Sequence, residues 1–404
     1  MMDLIVEIYE RLIDELSIQT YRYLYPRFNL ADRLTGLIGP RGVGKTTLLL
    51  QYFKNNLHSE GRAIYFSADL IHFETIRLFD FVSELYRSGG YRIIAIDEIH
   101  KYSNWSQELK NIYDAFPSLK VIFSGSSMLD IIHGSHDLTR RAVLYHLRGM
   151  SFREYLNFCV GDSHAALLWA DLLSVPTTAG VRRLIKIDKL VPYFRDYLRM
   201  GYYPFVEENP LTLYEKIMRV VDKTIYEDIA NFYNLKTSNL HYFRSILTFL
   251  SNIPPGELSS HNLGKHLGID HKTVIHYLHI LNEVGLVRQI FSAQKGAAGL
   301  RKPAKVFIHN TTLLNALNVF TGNEVVKGTQ RELFFVQTLL DSGKQVFYSP
   351  IGDFSVEGTL FEIGGKNKTR KQFAGVDQSA FLVKDDLLAP FGNELPLHYF
   401  GFLY

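Results

Sequence analysis

Only one cysteine, Cys159, stands in the 404 residues. No intrachain disulfide can form, and the chain suits a reducing compartment. Long hydrophobic runs are missing as well. No stretch of about 18 uncharged apolar residues occurs, which excludes an ordinary membrane-spanning helix. An uncharged apolar leader is also lacking. Leu4, Ile5, Ile8, Leu12, Ile13 and Leu16 recur at helical spacing, with Asp3, Glu7, Glu10, Arg11 and Glu15 between them. That pattern reads as an amphipathic helix and not as a secretory signal, so a cytoplasmic location is expected. Charge of one sign is not in excess: 44 Lys and Arg against 41 Asp and Glu leave a net +3. Such a balance gives no chain-wide basic surface, although a small total can hide a local basic face. No fixed-period repeat is present.

What is present suits a soluble globular chain, with 47% hydrophobic and 21% charged residues. The length calls for two to four domains. Short apolar runs punctuate the first part: Leu34 to Ile38, Ala63 to Phe66, Arg92 to Asp97 and Lys120 to Ser124, with helical stretches between them. Nearly continuous apolar strands alternating with helices predict an α/β fold whose parallel sheet is covered on both faces.

The first apolar run ends at Gly39-Pro40-Arg41-Gly42-Val43-Gly44-Lys45-Thr46, with Thr47 opening an apolar helix. Glycines let the backbone curl round phosphate oxygens with its N–H groups inward, and the helix dipole adds to the attraction. The spacing assigns Lys45 to the β- and γ-phosphates and Thr46 to magnesium. By average residue usage the pattern arises by chance in roughly one chain in a hundred of this length. A second strand, Ile93-Ile94-Ala95-Ile96, ends in Asp97-Glu98. Asp97 is expected to hold magnesium through water, and Glu98 to polarise the attacking water. A third ends in Ser124-Gly125-Ser126-Ser127, where Ser126, with Ser124 close behind, is the candidate reporter on the γ-phosphate. Asp137-Leu138-Thr139-Arg140-Arg141 offers an arginine able to neutralise phosphate charge, an effect of about 10³–10⁵ in rate where it applies.

The texture changes after Ser151. Ser151 and Glu154 fit a capping box, and helical, aromatic-rich sequence follows to about residue 250. Pro254-Pro255-Gly256 breaks it. Two helices then flank Gly268-Ile269-Asp270, with Asp270 as cap of the second, and Val287-Arg288-Gln289-Ile290 begins a wing. This is helix-turn-helix spacing. Lys272, Thr273, His276 and Tyr277 are expected to face outward, with chemistry suited to double-stranded DNA. A winged helix that packs only against protein is the alternative.

The set GPRGVGKTTLL, IIAIDEIHK, VIFSGSS and LTRRAVLYHLRGMSFREYL resembles the archaeal-type AAA ATPases of bacteria and archaea. YLRMGYYPFVEE, TIYEDI and RKPAKVFIHN agree, so the resemblance spans nearly the whole chain. It implies a P-loop AAA core at 1–160, a helical lid at 161–240, a winged helix at 241–300 and a small α+β module at 301–404 that resembles restriction endonucleases. It implies ATP as the nucleotide, favours Arg141 over Arg140, and leaves a homo-oligomer open. Asn310 stands where the family commonly has aspartate.

A restriction-type site needs an acid, then an acid and a lysine two residues apart on one strand face. Asp353 and Glu362 supply acids and helical Glu332 a third. Gly364 stands where the lysine belongs, and Lys366 follows two residues later. The module therefore reads as degenerate. The leading expectation is an ATP-hydrolysing, magnesium-dependent switch acting on DNA or protein. An ATP-regulated nuclease using Asp353, Glu362 and Lys366 is the second reading, and a nucleotide-binding interaction protein with negligible turnover the third.

Overall fold

Residues 1–17, 20–126, 138, 140–161, 163–174, 183–207, 209–256, 258–293, 303–373, 375 and 379–404 are described by a computed structural model. Ser127, Asp137 and Thr139 of the sequence reading lie outside them. The chain parts into two compact units, Met1–Gly149 and Met150–Tyr404.

In the first unit the apolar runs become strands β1 (Leu34–Ile38), β2 (Ala63–Ser67), β3 (Ile93–Asp97) and β4 (Lys120–Gly125). A further strand, β5 (Ala142–His146), was not expected. The sheet order is β2-β3-β4-β1-β5, with every neighbouring pair parallel. Helix α1 (Met2–Glu15) buries Ile5, Tyr9 and Ile13, one stripe at four-residue spacing. Helices α2 (Lys45–Asn56), α3 (Leu78–Arg87) and α4 (Trp105–Ala115) connect the strands. Leu34, Leu37, Leu48, Ile64, Ile94, Ile96 and Phe123 form the centre of one buried core. In a parallel sheet all strand carboxyl ends lie along one edge, and ligands bind there.

The second unit opens with α5 (Phe152–Val160), where Ser151 and Glu154 form the expected capping box. The sequence reading placed this helix with the core, up to residue 160. Its ring contacts fall on residues of the second unit. Phe152 packs on Phe194, Tyr197 and Phe402, and Ser151 Oγ donates to the Tyr404 carbonyl at 2.9 Å. Helices α6 (Trp169–Leu173), α7 (Leu190–Met200) and α8 (Leu213–Lys223) follow. A π-helical stretch, Thr224–Ile229, leads into α9 (Ala230–Tyr233) and α10 (Thr237–Ser251).

Helices α11 (Ser260–Leu267) and α12 (His271–Glu283) form the expected pair, with Asp270 accepting from the Lys272 N–H at 2.9 Å. Strand β6 (Val287–Ile290) pairs antiparallel with β7 (Lys305–Ile308). Arg288 of β6 is buried. It makes two 2.9 Å bonds to Asp341 of α14 (Lys327–Asp341), which follows α13 (Thr311–Thr321). Both bonds come from Nη2, and Nε donates to the His309 carbonyl at 2.5 Å; a buried pair needs such added bonds to repay desolvation, and this one ties the hairpin to the helix. The closing sheet has strands β8 (Phe347–Tyr348), β9 (Phe354–Val356), β10 (Thr359–Gly364), β11 (Ala380–Lys384) and β12 (Glu394–Pro396). Its order is β12-β11-β10-β9-β8, parallel on one side of β10 and antiparallel on the other.

Candidate functional site

Strand β1 runs straight into the glycine loop, and α2 starts at Lys45. Gly42 and Gly44 have φ of 79° and 89°, which other residues reach only at a cost. At Gly39 a Cβ would lie 2.2 Å from the Leu147 carbonyl oxygen, so only glycine fits beside β5. Val43 is buried, anchoring the loop. Pro40 and Arg41 lie within the loop, and Thr46 and Thr47 are exposed on the first turn of α2. The Lys45 ammonium donates to the carbonyls of Gly39 at 2.9 Å and Pro40 at 3.0 Å. A buried ammonium beside a loop of inward glycines at a helix start fits a polyphosphate chain.

Asp97 ends β3 next to this loop and is 2% exposed. Its Oδ2 accepts from Thr46 Oγ1 at 2.6 Å and from the Tyr65 hydroxyl at 2.8 Å. Its Oδ1 accepts from the Glu98 N–H at 3.0 Å and from Ser124 Oγ. Thr46 and Asp97 together thus fit a hydrated magnesium ion. Burial, then the neighbouring Asp97 carboxylate, drives the Tyr65 hydroxyl far above its ordinary pKa, so it stays a donor. Glu98 takes φ 52°, a strained backbone that aims its side chain away from the strand line. Its Oε2 accepts from Ser126 Oγ at 3.1 Å and lies 3.4 Å from His100 Nε2. Each serine of β4's end therefore holds one acid: Ser124 holds Asp97 and Ser126 holds Glu98.

Arg141 is not brought to this edge. Ala142 pairs with Leu34 at the start of β1, whereas the glycine loop follows Ile38. Four residues of strand, about 13 Å at the usual rise, separate the two levels. Arg141 there pairs with Asp114 of α4 at 3.3 Å.

Elsewhere the structure corrects two expectations. Tyr277 does not face outward. It is 5% exposed and packs on Phe243 with ring centroids 4.5 Å apart. Val274, Tyr277, Leu278 and Leu281 share one helical stripe, so the aromatic joins the core. Lys272 and His276 are exposed and Thr273 half-buried. Lys366 also misses its assignment, since it is exposed in the turn after β10. Gly364 leaves room for Lys368 to fold back, and Lys368 forms the ion pair with buried Glu362. Glu332 and Asp353 do converge, but on Lys305 of β7, at 2.6 and 3.1 Å. Burial raises the pKa of both Glu332 and Glu362. Among the described residues no group of three or more His, Cys, Asp or Glu is placed to hold a metal ion.

Comparison with known proteins bears on the first unit directly. Residues 31–156 match an AAA domain. Residues 191–324 match a domain of unknown function, DUF8612. Solved structures similar to the chain include AMPPCP-bound DnaA from Aquifex aeolicus, 17% identical over 69% of this chain and 86% of that one, with a TM-score of 0.26. A DNA replication initiation factor is 18% identical over 70% and 88%, with a TM-score of 0.25. The Hsp104–ADP complex of S. cerevisiae is 16% identical over 69% and 39%, with a TM-score of 0.30. Comparison with curated proteins finds no match. The AAA match and the parallel sheet with its glycine loop agree on a P-loop NTPase fold, followed by a separate C-terminal sheet. No helix among the described residues is long and apolar enough to cross a membrane.

Sequence reasoning missed three contributors. Arg22 braces the loop from behind, donating to the Val43 carbonyl and, at 2.7 Å, to that of Arg148. No local pattern announces it. Buried His100 stands beside Glu98. Tyr65 was legible in principle. Strand register sets Ser67 beside Asp97, and Tyr65 lies two residues back on the same face.

Proposed function

We propose that the chain is a magnesium-dependent ATPase whose hydrolysis step acts as a molecular switch. The observation that carries this reading is the convergence of Lys45, Thr46, Asp97 and Glu98 at one sheet edge, with Thr46 and Asp97 in direct hydrogen bond. Loop N–H groups and Lys45 bind the polyphosphate. Thr46 and Asp97 hold magnesium, which when bound neutralises charge on the phosphates. Glu98 takes a proton from water, and Ser126 and His100 keep its carboxylate aimed. Substitution of Glu98 by Gln keeps the shape and removes the base. Expected is nucleotide affinity within about threefold of wild type, with turnover down by roughly 10²–10⁴. Unchanged phosphate release in Glu98→Gln would reject the assignment. Absence of release in wild type itself would favour a binding protein without turnover.

Supply of the arginine from a second copy is part of the same proposal. Within one chain Arg141 sits at the amino edge of the sheet, and the phosphate loop at the carboxyl edge. An Arg141 that serves a phosphate therefore serves that of a partner copy, making the working form a homo-oligomer.

A further inference from the structure

The acid that ends β3 carries an unusual load of donors. A carboxylate offers about four acceptor positions. Asp97 meets four donors: Thr46 Oγ1, the Tyr65 hydroxyl, Ser124 Oγ and the Glu98 N–H. Three of them have a second task. Thr46 belongs to the first turn after the glycine loop and faces solvent. Ser124 closes the strand beside the loop strand. The Glu98 amide belongs to the strained residue that carries the candidate base. Tyr65 alone approaches from the other side of β3, from the edge strand β2.

Its ring is buried at 5% exposure, among the residues of the sheet core. Besides Asp97 its hydroxyl has Thr46 within hydrogen-bond reach, so both of these polar neighbours belong to the metal half of the site. Its hydroxyl spends its one hydrogen on Asp97 Oδ2, the same oxygen that faces Thr46. We propose that Tyr65 is a positioning residue for the metal half of the site: its hydroxyl fixes the rotation of the Asp97 carboxylate and thereby sets the affinity for magnesium. An outer group of this kind typically matters 10–100-fold for metal affinity. A side chain that merely fills the core has no such metal-specific effect.

The inference builds on the magnesium-ATP reading above, and the test separates the two. Tyr65→Phe, in the full chain, keeps the ring and its packing and removes only the hydroxyl. Fluorescent mant-ATP is titrated first in EDTA and then at fixed concentration against magnesium. Expected is an unchanged affinity in EDTA and a magnesium half-saturation raised about tenfold. Electron paramagnetic resonance of Mn²⁺ in the nucleotide complex should show a matching loss of bound ion, with no turnover needed. A half-saturation within twofold of wild type, or lower than it, overturns the proposal. So does an equal loss of affinity in EDTA, which marks a general packing defect. Should wild type itself bind nucleotide without regard to magnesium, it is the ATPase reading that fails.

Discussion

Replacement of Lys45 by Met probes the whole phosphate site, because the structure shows what the ammonium does without ligand. It rests on two loop carbonyls, at 2.9 and 3.0 Å. To meet a polyphosphate it must exchange some of these bonds for bonds to charged oxygens. The ammonium's bonds are charge-assisted to either acceptor, about 1.5–3 kcal/mol each, so the gain on meeting phosphate is the ion–ion attraction, about 1 kcal/mol at ~4 Å in water and about 4 kcal/mol near a protein surface. Between these limits, the exchange should favour binding by about 1.5–3 kcal/mol. Methionine keeps most of the apolar stem and loses this difference. At 1.4 kcal/mol per decade, ATP should bind roughly 10–150-fold more weakly.

The assay is equilibrium titration of mant-ATP with magnesium present, set beside titration of AMP. AMP lacks the β- and γ-phosphates that Lys45 is assigned to, so its affinity should move by less than about threefold. Thermal melting checks the fold, since the variant leaves the Gly39 and Pro40 carbonyls without that donor. Unchanged ATP affinity in a folded Lys45→Met protein would refute the phosphate assignment. An equal loss for AMP and ATP would do the same, by placing the effect in the fold or the purine site.

The trans arginine predicts complementation. Arg141→Ala and Glu98→Gln, each slow alone, should regain turnover when mixed; a mixture no faster than its parts, with association shown by light scattering, argues against it. His398 predicts acid sensitivity of the second unit: it is 1% exposed, both ring nitrogens lack a hydrogen-bond partner, and burial lowers its pKa from 6.5 to about 3. The unfolded chain thus binds the extra proton first, so this contribution is whole above pH 6.5 and is lost as pH falls towards 3, by about 2 kcal/mol at pH 5. His398→Phe should flatten the drop in melting temperature between pH 7 and pH 5, and an identical drop would exclude His398 as its source.

The sequence was most legible where chemistry and position are local. A glycine loop needs glycines, a capped helix needs Ser151 with Glu154, and Asp270 caps α12 because it stands two residues before the Lys272 amide. The central strands showed because both their faces are buried, which writes a continuous apolar run. Strand β5 escaped for the opposite reason. It is an edge strand with no fully buried residue and no regular alternation, and Ala142-Val143-Leu144-Tyr145-His146 reads as neither pattern. Tyr277 was misplaced although the period was right. Val274, Leu278 and Leu281 had already defined the buried stripe, and residue 277 lies on it.

The remaining gap is topological, and it explains why adjacent residues in one motif can have opposite fates. Sequence spacing says which side chains share a helix face or a strand face. It does not say which end of a sheet a strand begins at. Asp97 ends β3 and meets Thr46 beside the loop, with Glu98 next to it, while Arg141 precedes β5 and stands some four residues lower, although all strands run the same way. Parallel order makes the rule general for this unit. A polar residue just after a strand belongs to the ligand edge, and one just before a strand belongs to the far edge. Applied to the closing sheet, the same rule fails, because β9 and β10 are antiparallel. There Asp353, just before β9, accepts at its Oδ2 from the Ile363 N–H of β10 at 2.9 Å and comes near Glu362. The approach of Asp353 to Glu362 is thus a product of strand direction, which no spacing of residues along the chain encodes.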